Sequence, residues 1–124
     1  MNDRSLTGIV IDAGHGGVDG GASGNGIIEK DLNLLISTYM YDRFRELGVP
    51  VKMTRTTDET LDSSERVNRI LDAYGNGKDV IVISNHINAG GGDNPSGKLT
   101  FFEKKFNKFS KYDIIFTEKA VFNL

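Results

Sequence analysis

Two short stretches of this chain are apolar without interruption: Gly8 to Asp12 reads Gly-Ile-Val-Ile-Asp, and Asp79 to Ser84 reads Asp-Val-Ile-Val-Ile-Ser. β-Branched runs that lack polar alternation predict strands buried on both faces, the habit of parallel sheets. Between them Leu32, Leu35, Ile36, Tyr39, Met40, Phe44 and Leu47 recur at spacings of three and four. That spacing predicts a helix from about Glu29 to Leu47 with one wide apolar face, stopped by Gly48 and Pro50. Val49, Val51 and Met53 alternate as a further strand, and Val67, Ile70, Leu71 and Tyr74 repeat with the period of a second helix. Asp62 with Glu65 three residues later reads as a capping box at its start, and Gly75 suits its end. The order β-α-β-α-β predicts an α/β fold, an open and mostly parallel sheet flanked by helices. Two helices are few for strands that need cover on both sides, so one face of the sheet is expected to be short of it.

Composition narrows the function classes. At 124 residues and 38% hydrophobic content the chain is one domain's worth, with enough apolar material for a core. It has no cysteine, which excludes disulfide scaffolds, thiolate metal sites and cysteine nucleophiles. Fifteen Lys and Arg against seventeen Asp and Glu leave a net charge of −2, so nucleic acid is not expected as a partner. No apolar run approaches the ~18 residues of a membrane span. The start, Met1 to Ser5, shows no export signal, so synthesis in the cytoplasm is expected, and the expected state is a monomer. All fifteen glycines and both prolines lie at or before Gly97. The chain therefore divides into a body, residues 1–97, and a tail, 98–124, that holds six of the seven Phe and six Lys without one Arg.

Ligands of open α/β sheets collect past the carboxyl ends of the strands. Both histidines of the chain fall there, His15 three residues beyond Asp12 and His86 two beyond Ser84. A glycine-rich loop, Gly16 to Gly26, then leads to the helix that begins near Glu29. If the two strands are neighbours, two imidazoles and one carboxylate meet at one rim, which suits an open zinc site completed by water. Each residue also has a plainer reading: a lone histidine after a strand is commonly a hydrogen-bonded loop residue, and Glu29 is an ordinary first-turn acid. A nucleotide-binding reading of the loop fails both phosphate fingerprints, because it lacks a Gly-Lys-Ser/Thr ending and has Asp19 where a third glycine is wanted.

Asp12-Ala13-Gly14-His15-Gly16-Gly17, Glu29-Lys30-Asp31-Leu32-Asn33, Met53-Thr54-Arg55-Thr56-Thr57-Asp58, Glu65-Arg66-Val67-Asn68 and Ser84-Asn85-His86-Ile87-Asn88-Ala89 follow one another along the chain. Together they resemble the successive motifs of the zinc-dependent N-acetylmuramoyl-L-alanine amidases of the amidase-3 type. The resemblance covers roughly residues 7 to 97. It implies an amidase-3-like fold and a peptidoglycan hydrolase of the autolysin or endolysin kind, active at the cell wall after release or lysis. It also implies Zn²⁺ held by His15, Glu29 and His86, and hydrolysis of the amide between N-acetylmuramic acid and the L-alanine of the stem peptide. Arg55, Asp58 and Arg66 match the pattern as well and are expected to brace the second helix against the sheet.

The family's general base is a second glutamate on a late strand, followed by Gly-Phe and an Asn. Here Lys98 to Phe102 suits the next strand, and Ile114-Ile115-Phe116-Thr117-Glu118 before Phe122-Asn123 echoes the glutamate motif without its glycine. Seventeen of the 27 tail residues are Phe, Lys, Asn, Ile or Tyr, the residues of A/T-rich codons, which suits a frameshift or read-through. The expectation is an incomplete amidase domain that keeps its zinc ligands, with Glu118 the weak candidate for a base and activity low or absent. The alternative is a catalytically silent remnant that binds zinc or wall fragments. Phe102, Phe106, Phe109 and Phe116 would suit an amphipathic helix, but Ser110, Asp113 and Ile114-Ile115 interrupt it, so a loose tail is expected.

Overall fold

A computed structural model describes residues 5–87 and the backbone of Ile114–Thr117. Its elements are β1 (Gly8–Ala13), β2 (Ser23–Gly24), β3 (Ile27–Ile28), α1 (Glu29–Glu46), β4 (Val51–Met53), α2 (Ser63–Tyr74), β5 (Val80–Asn85) and β6 (Ile114–Thr117). The main sheet has the order β4-β1-β5-β6, and every pairing in it is parallel. The predicted α/β class is therefore the observed one.

β1 is buried along its whole length because successive side chains enter different cores. Ile9 and Ile11 join Val51 and Ile83 under Met40, Tyr41 and Phe44 of α1. Val10 joins Val80, Val82 and Ile70, packed by Val67, Leu71 and Tyr74 of α2. Each helix covers one face, so the expected shortage of cover is not found at β1. Burying a Val or Ile side chain contributes about 1.5–3 kcal/mol, which makes β1 the anchor of the fold.

α1 departs from its predicted apolar face. Leu35 (54% accessible), Tyr39 (70%) and Leu47 point outward, whereas Glu29, Asn33 and Ser37, four residues apart, are buried. Asn85 at the end of β5 donates from Nδ2 to the Asn33 carbonyl (3.0 Å) and to Ser37 Oγ (3.3 Å), so this half of the helix meets polar strand ends. Met40, Tyr41 and Phe44 pack on the apolar part of the sheet. Asp62 caps α2 as predicted, accepting from the Glu65 amide at 2.8 Å, and Gly75 ends it. The capping box is half formed, because the Glu65 carboxylate accepts from Arg69 Nε instead.

Inside the glycine-rich segment β2 and β3 form a small antiparallel hairpin. Asn25 and Gly26 at its tip both have positive φ, 51° and 77°, as a two-residue Asn-Gly turn of type I′ requires.

The tail readings at Lys98–Phe102, Phe102, Phe106 and Phe109 lie outside the described residues. Ile114–Thr117 corrects both expectations for its own stretch: it is neither helix nor loose chain but a strand in register with β5, from Val82↔Ile114 to Asn85↔Thr117. β-Branched Ile114-Ile115 favours extended backbone, and β5 has unpaired backbone groups on that side to bond it. No described helix is long and apolar enough to cross a membrane.

Candidate metal centre

Parallel pairing in the register Asp12↔Ser84 and Ala13↔Asn85 brings β1 and β5 to an end at the same level. One more ladder bond follows, from the Gly14 amide to the Asn85 carbonyl at 3.0 Å. The next residues on the two strands are His15 and His86, whose rings meet edge to face with centroids 4.9 Å apart. Gly14 makes this possible, since a Cβ there would overlap the His86 ring.

The third group comes from the start of α1. Its N-cap, Ile28, has no capping side chain. The glycine-rich loop supplies the missing acceptors instead: the Glu29 amide donates to the Ala22 carbonyl (2.8 Å) and the Lys30 amide to that of Gly20 (3.0 Å). Glu29 is thereby turned inward, with Oε1 3.2 Å from His15 Nε2 and 3.2 Å from His86 Nδ1. One ligand atom from each of His15, Glu29 and His86 lies within 4.8 Å of the other two. A Cβ at Gly21 (φ +67°) would overlap both the Glu29 carboxylate and the His15 ring.

The electrostatics favour a cation between these groups. Burial works against a charged Glu29, yet its carboxyl is held below its ordinary pKa by the amides of Ala22 and Ile87 and by Asn33 Nδ2. Asp19 is held low chiefly by its hydrogen bond with His15, so Asp19 Oδ2 accepts from His15 Nδ1 at 2.8 Å. A neutral His15 ring then has its lone pair on Nε2, facing the Glu29 oxygen. Two lone pairs at that separation repel unless a positive centre lies between them. Two imidazole nitrogens and one carboxylate oxygen, open on one side, form the donor set of catalytic zinc sites, and the residues present fit that ion.

Two arginines fix the loop that presents His15. Arg66, on α2, donates to Asp12 Oδ1 (2.7 Å) and to the carbonyls of Ala13 (2.8 Å) and His15 (3.0 Å). Arg55, fully buried, donates to the carbonyls of Ala13, Gly14, Thr57 and Lys30. Asp58 accepts from the Gly17 amide and from Lys30 Nζ at 2.7 Å each. The expected bracing of α2 against the sheet holds for Arg66, while Arg55 and Asp58 tie the ligand loop to α1. His15 itself has φ +58°, a left-handed backbone that costs a non-glycine residue of order 1–3 kcal/mol and persists only when its surroundings hold it.

Sequence reasoning placed His15, Glu29 and His86 together, and they are together. Glu118 lies outside the described residues. The nucleotide reading loses its remaining basis, because the loop amides that would cradle phosphate are engaged: Gly16 with Asp19, Gly17 with Asp58, Val18 with Thr60, Gly21 with Asp19 and Ala22 with Glu29. Asp19 and Asn33 were not singled out as site residues. The available signal for Asp19 was its place four residues after His15 in a glycine-rich turn.

The family model of Amidase_3, N-acetylmuramoyl-L-alanine amidase, matches residues 9–119. The chain belongs to this family. Among its curated relatives, the uncharacterized protein YqiI of Bacillus subtilis is 41% identical over 98 residues, 79% of this chain and 45% of that one. The N-acetylmuramoyl-L-alanine amidase LytC of the same organism is 33% identical over 98 residues, 79% of this chain and 19% of LytC. The chain thus spans less than half the length of either. Among solved structures, the N-acetylmuramoyl-L-alanine amidase of Clostridium difficile 630 superposes with a TM-score of 0.63 at 27% identity, covering 73% of this chain and 48% of that chain. The segments quoted from the sequence for their resemblance to this family supply, in their described residues, the three groups of the candidate site.

Proposed function

We propose that this chain binds one zinc ion through His15, Glu29 and His86 and uses it to hydrolyse the amide between N-acetylmuramic acid and L-alanine in peptidoglycan. The observation that carries the reading is the meeting of two strand-end imidazoles with one buried, ionised carboxylate. The names of relatives such as LytC support the substrate class. When bound, zinc supplies a Lewis acid that makes hydroxide available near neutral pH and polarises the amide carbonyl.

The protein's own part is to hold the three donors and to move a proton. Glu29 is fixed as an anion by three N–H donors. His15 presents Nε2 because Nδ1 is occupied by Asp19. Proton transfer from water to the leaving nitrogen needs a base, and the sequence's candidate is Glu118. β6 ends at Thr117, paired with Asn85 immediately before His86, so the strand that precedes Glu118 finishes at the level of the metal ligands.

Metal analysis after dialysis and the release of new L-alanine amino termini from purified peptidoglycan test the proposal. About one zinc per chain, lost in His86→Ala, and a chelator-sensitive rate are expected. A Glu118→Gln loss of ~10²–10⁴-fold would make Glu118 the base. Zinc binding without any hydrolysis would favour the silent, wall-binding module, and full zinc occupancy in His86→Ala would overturn the ligand assignment.

A further inference from the structure

The two histidines of the metal centre are held differently. His86 turns Nδ1 toward Glu29, and no partner is found for its Nε2 among the described residues. His15 turns Nε2 toward Glu29 and has a carboxylate on its other nitrogen, Asp19 Oδ2 at 2.8 Å. Asp19 is itself fixed from three sides. Its amide and carbonyl pair with the carbonyl and amide of Gly16, at 3.1 and 2.8 Å, which closes a four-residue turn directly after His15. Its second oxygen, Oδ1, accepts from the Gly21 amide at 3.2 Å. The backbone of the turn thus aims one carboxylate oxygen at the imidazole and ties the other to the segment that backs Glu29.

We propose that Asp19 is the positioning residue of the metal centre: by accepting the Nδ1 hydrogen of His15 it selects the tautomer whose Nε2 lone pair faces Glu29, and so presets His15, but not His86, for a metal ion. The inference rests on the zinc reading above for its consequence, though not for its geometry. The physical reason is that a neutral imidazole has one N–H and one lone pair, and a carboxylate can satisfy only the former. A carboxylate behind a ligating histidine also raises the basicity of the ligand nitrogen, and loss of such a partner typically weakens metal binding by ~10–100-fold.

The experiment uses the whole chain with ¹⁵N-labelled histidine, in two measurements. The first is metal-free NMR of the ring nitrogens at a pH where the rings are neutral. His15 is expected to carry its hydrogen on Nδ1 in the wild type and in Asp58→Asn, which loosens the same loop without touching the ring, and to shift toward the Nε2–H form in Asp19→Ala. The second is zinc titration against a competing chelator, with affinity expected to fall ~10–100-fold in Asp19→Ala and less in Asp19→Asn, which keeps an acceptor oxygen. An Nε2–H ring in the wild type, an equal tautomer shift in Asp58→Asn, or unchanged zinc affinity in Asp19→Ala would each overturn the proposal. If the wild type bound no zinc, the metal reading would fail, while the ring measurement would still decide what Asp19 does.

Discussion

The guanidinium of Arg66, on α2, donates to the backbone carbonyl of His15 at 3.0 Å, so the helix on one face of the sheet holds the ligand loop at its edge. The same side chain pairs with Asp12 at 2.7 Å, and both groups are largely shielded from water. Arg66→Met would leave Asp12 with the hydroxyls of Thr54 and Ser84 as its hydrogen-bond donors among the described side chains. Breaking a buried pair from one side is strongly unfavourable, so a loss of about 3 kcal/mol in urea unfolding is expected, together with weaker zinc binding. Retention of both would show that the loop is held without Arg66, by Arg55 and Asp58 among others.

Gly14 offers a test that removes no polar side chain. In Gly14→Ala the new methyl would overlap the His86 ring and force it away from Glu29. Overpacking of this kind costs ~1–3 kcal/mol, so zinc affinity should fall by about tenfold or more while the helical circular dichroism stays unchanged.

Acid should loosen the ligand loop before it unfolds the sheet. Asp58 is held below its usual range by Lys30 first and by the Gly17 amide second. A depressed carboxyl contributes stability that is fully present above its unfolded value of about 3.9 and is lost as pH falls through the lower folded value. The stability difference between wild type and Asp58→Asn should therefore be constant near neutrality and shrink below about pH 4. Urea midpoints measured across that range check it, and a difference that grew on acidification would contradict the sign.

Asp62→Ala removes the one side-chain acceptor at the start of α2. A cap of this type is worth about 1 kcal/mol, and the same shift in the unfolding midpoint is expected with no change in zinc stoichiometry.

Much of the architecture is local and was legible. Uninterrupted β-branched runs set β1 and β5, a turn of Gly and Pro ended α1, and Asp62 announced α2, because these preferences act within a few residues. His15, Glu29 and His86 were legible too, since in a parallel sheet sequence position relative to a strand end is also spatial position. The buried face of α1 was not. Its apolar spacing favoured Leu35 and Tyr39, yet the helix buries Glu29, Asn33 and Ser37, because its first turns lie against polar strand ends and the two histidines rather than an apolar sheet. β6 was only half legible: Ile114–Thr117 echoed a late-strand motif but also read as loose chain, and its strand form depends on β5 to complete the hydrogen bonds. The roles of Asp19 and Arg55, and the bond from Arg66 to the His15 carbonyl, also had to wait for the tertiary structure. A hydrogen bond to a ring nitrogen or a loop carbonyl depends on direction and distance, and no periodicity along the chain encodes either.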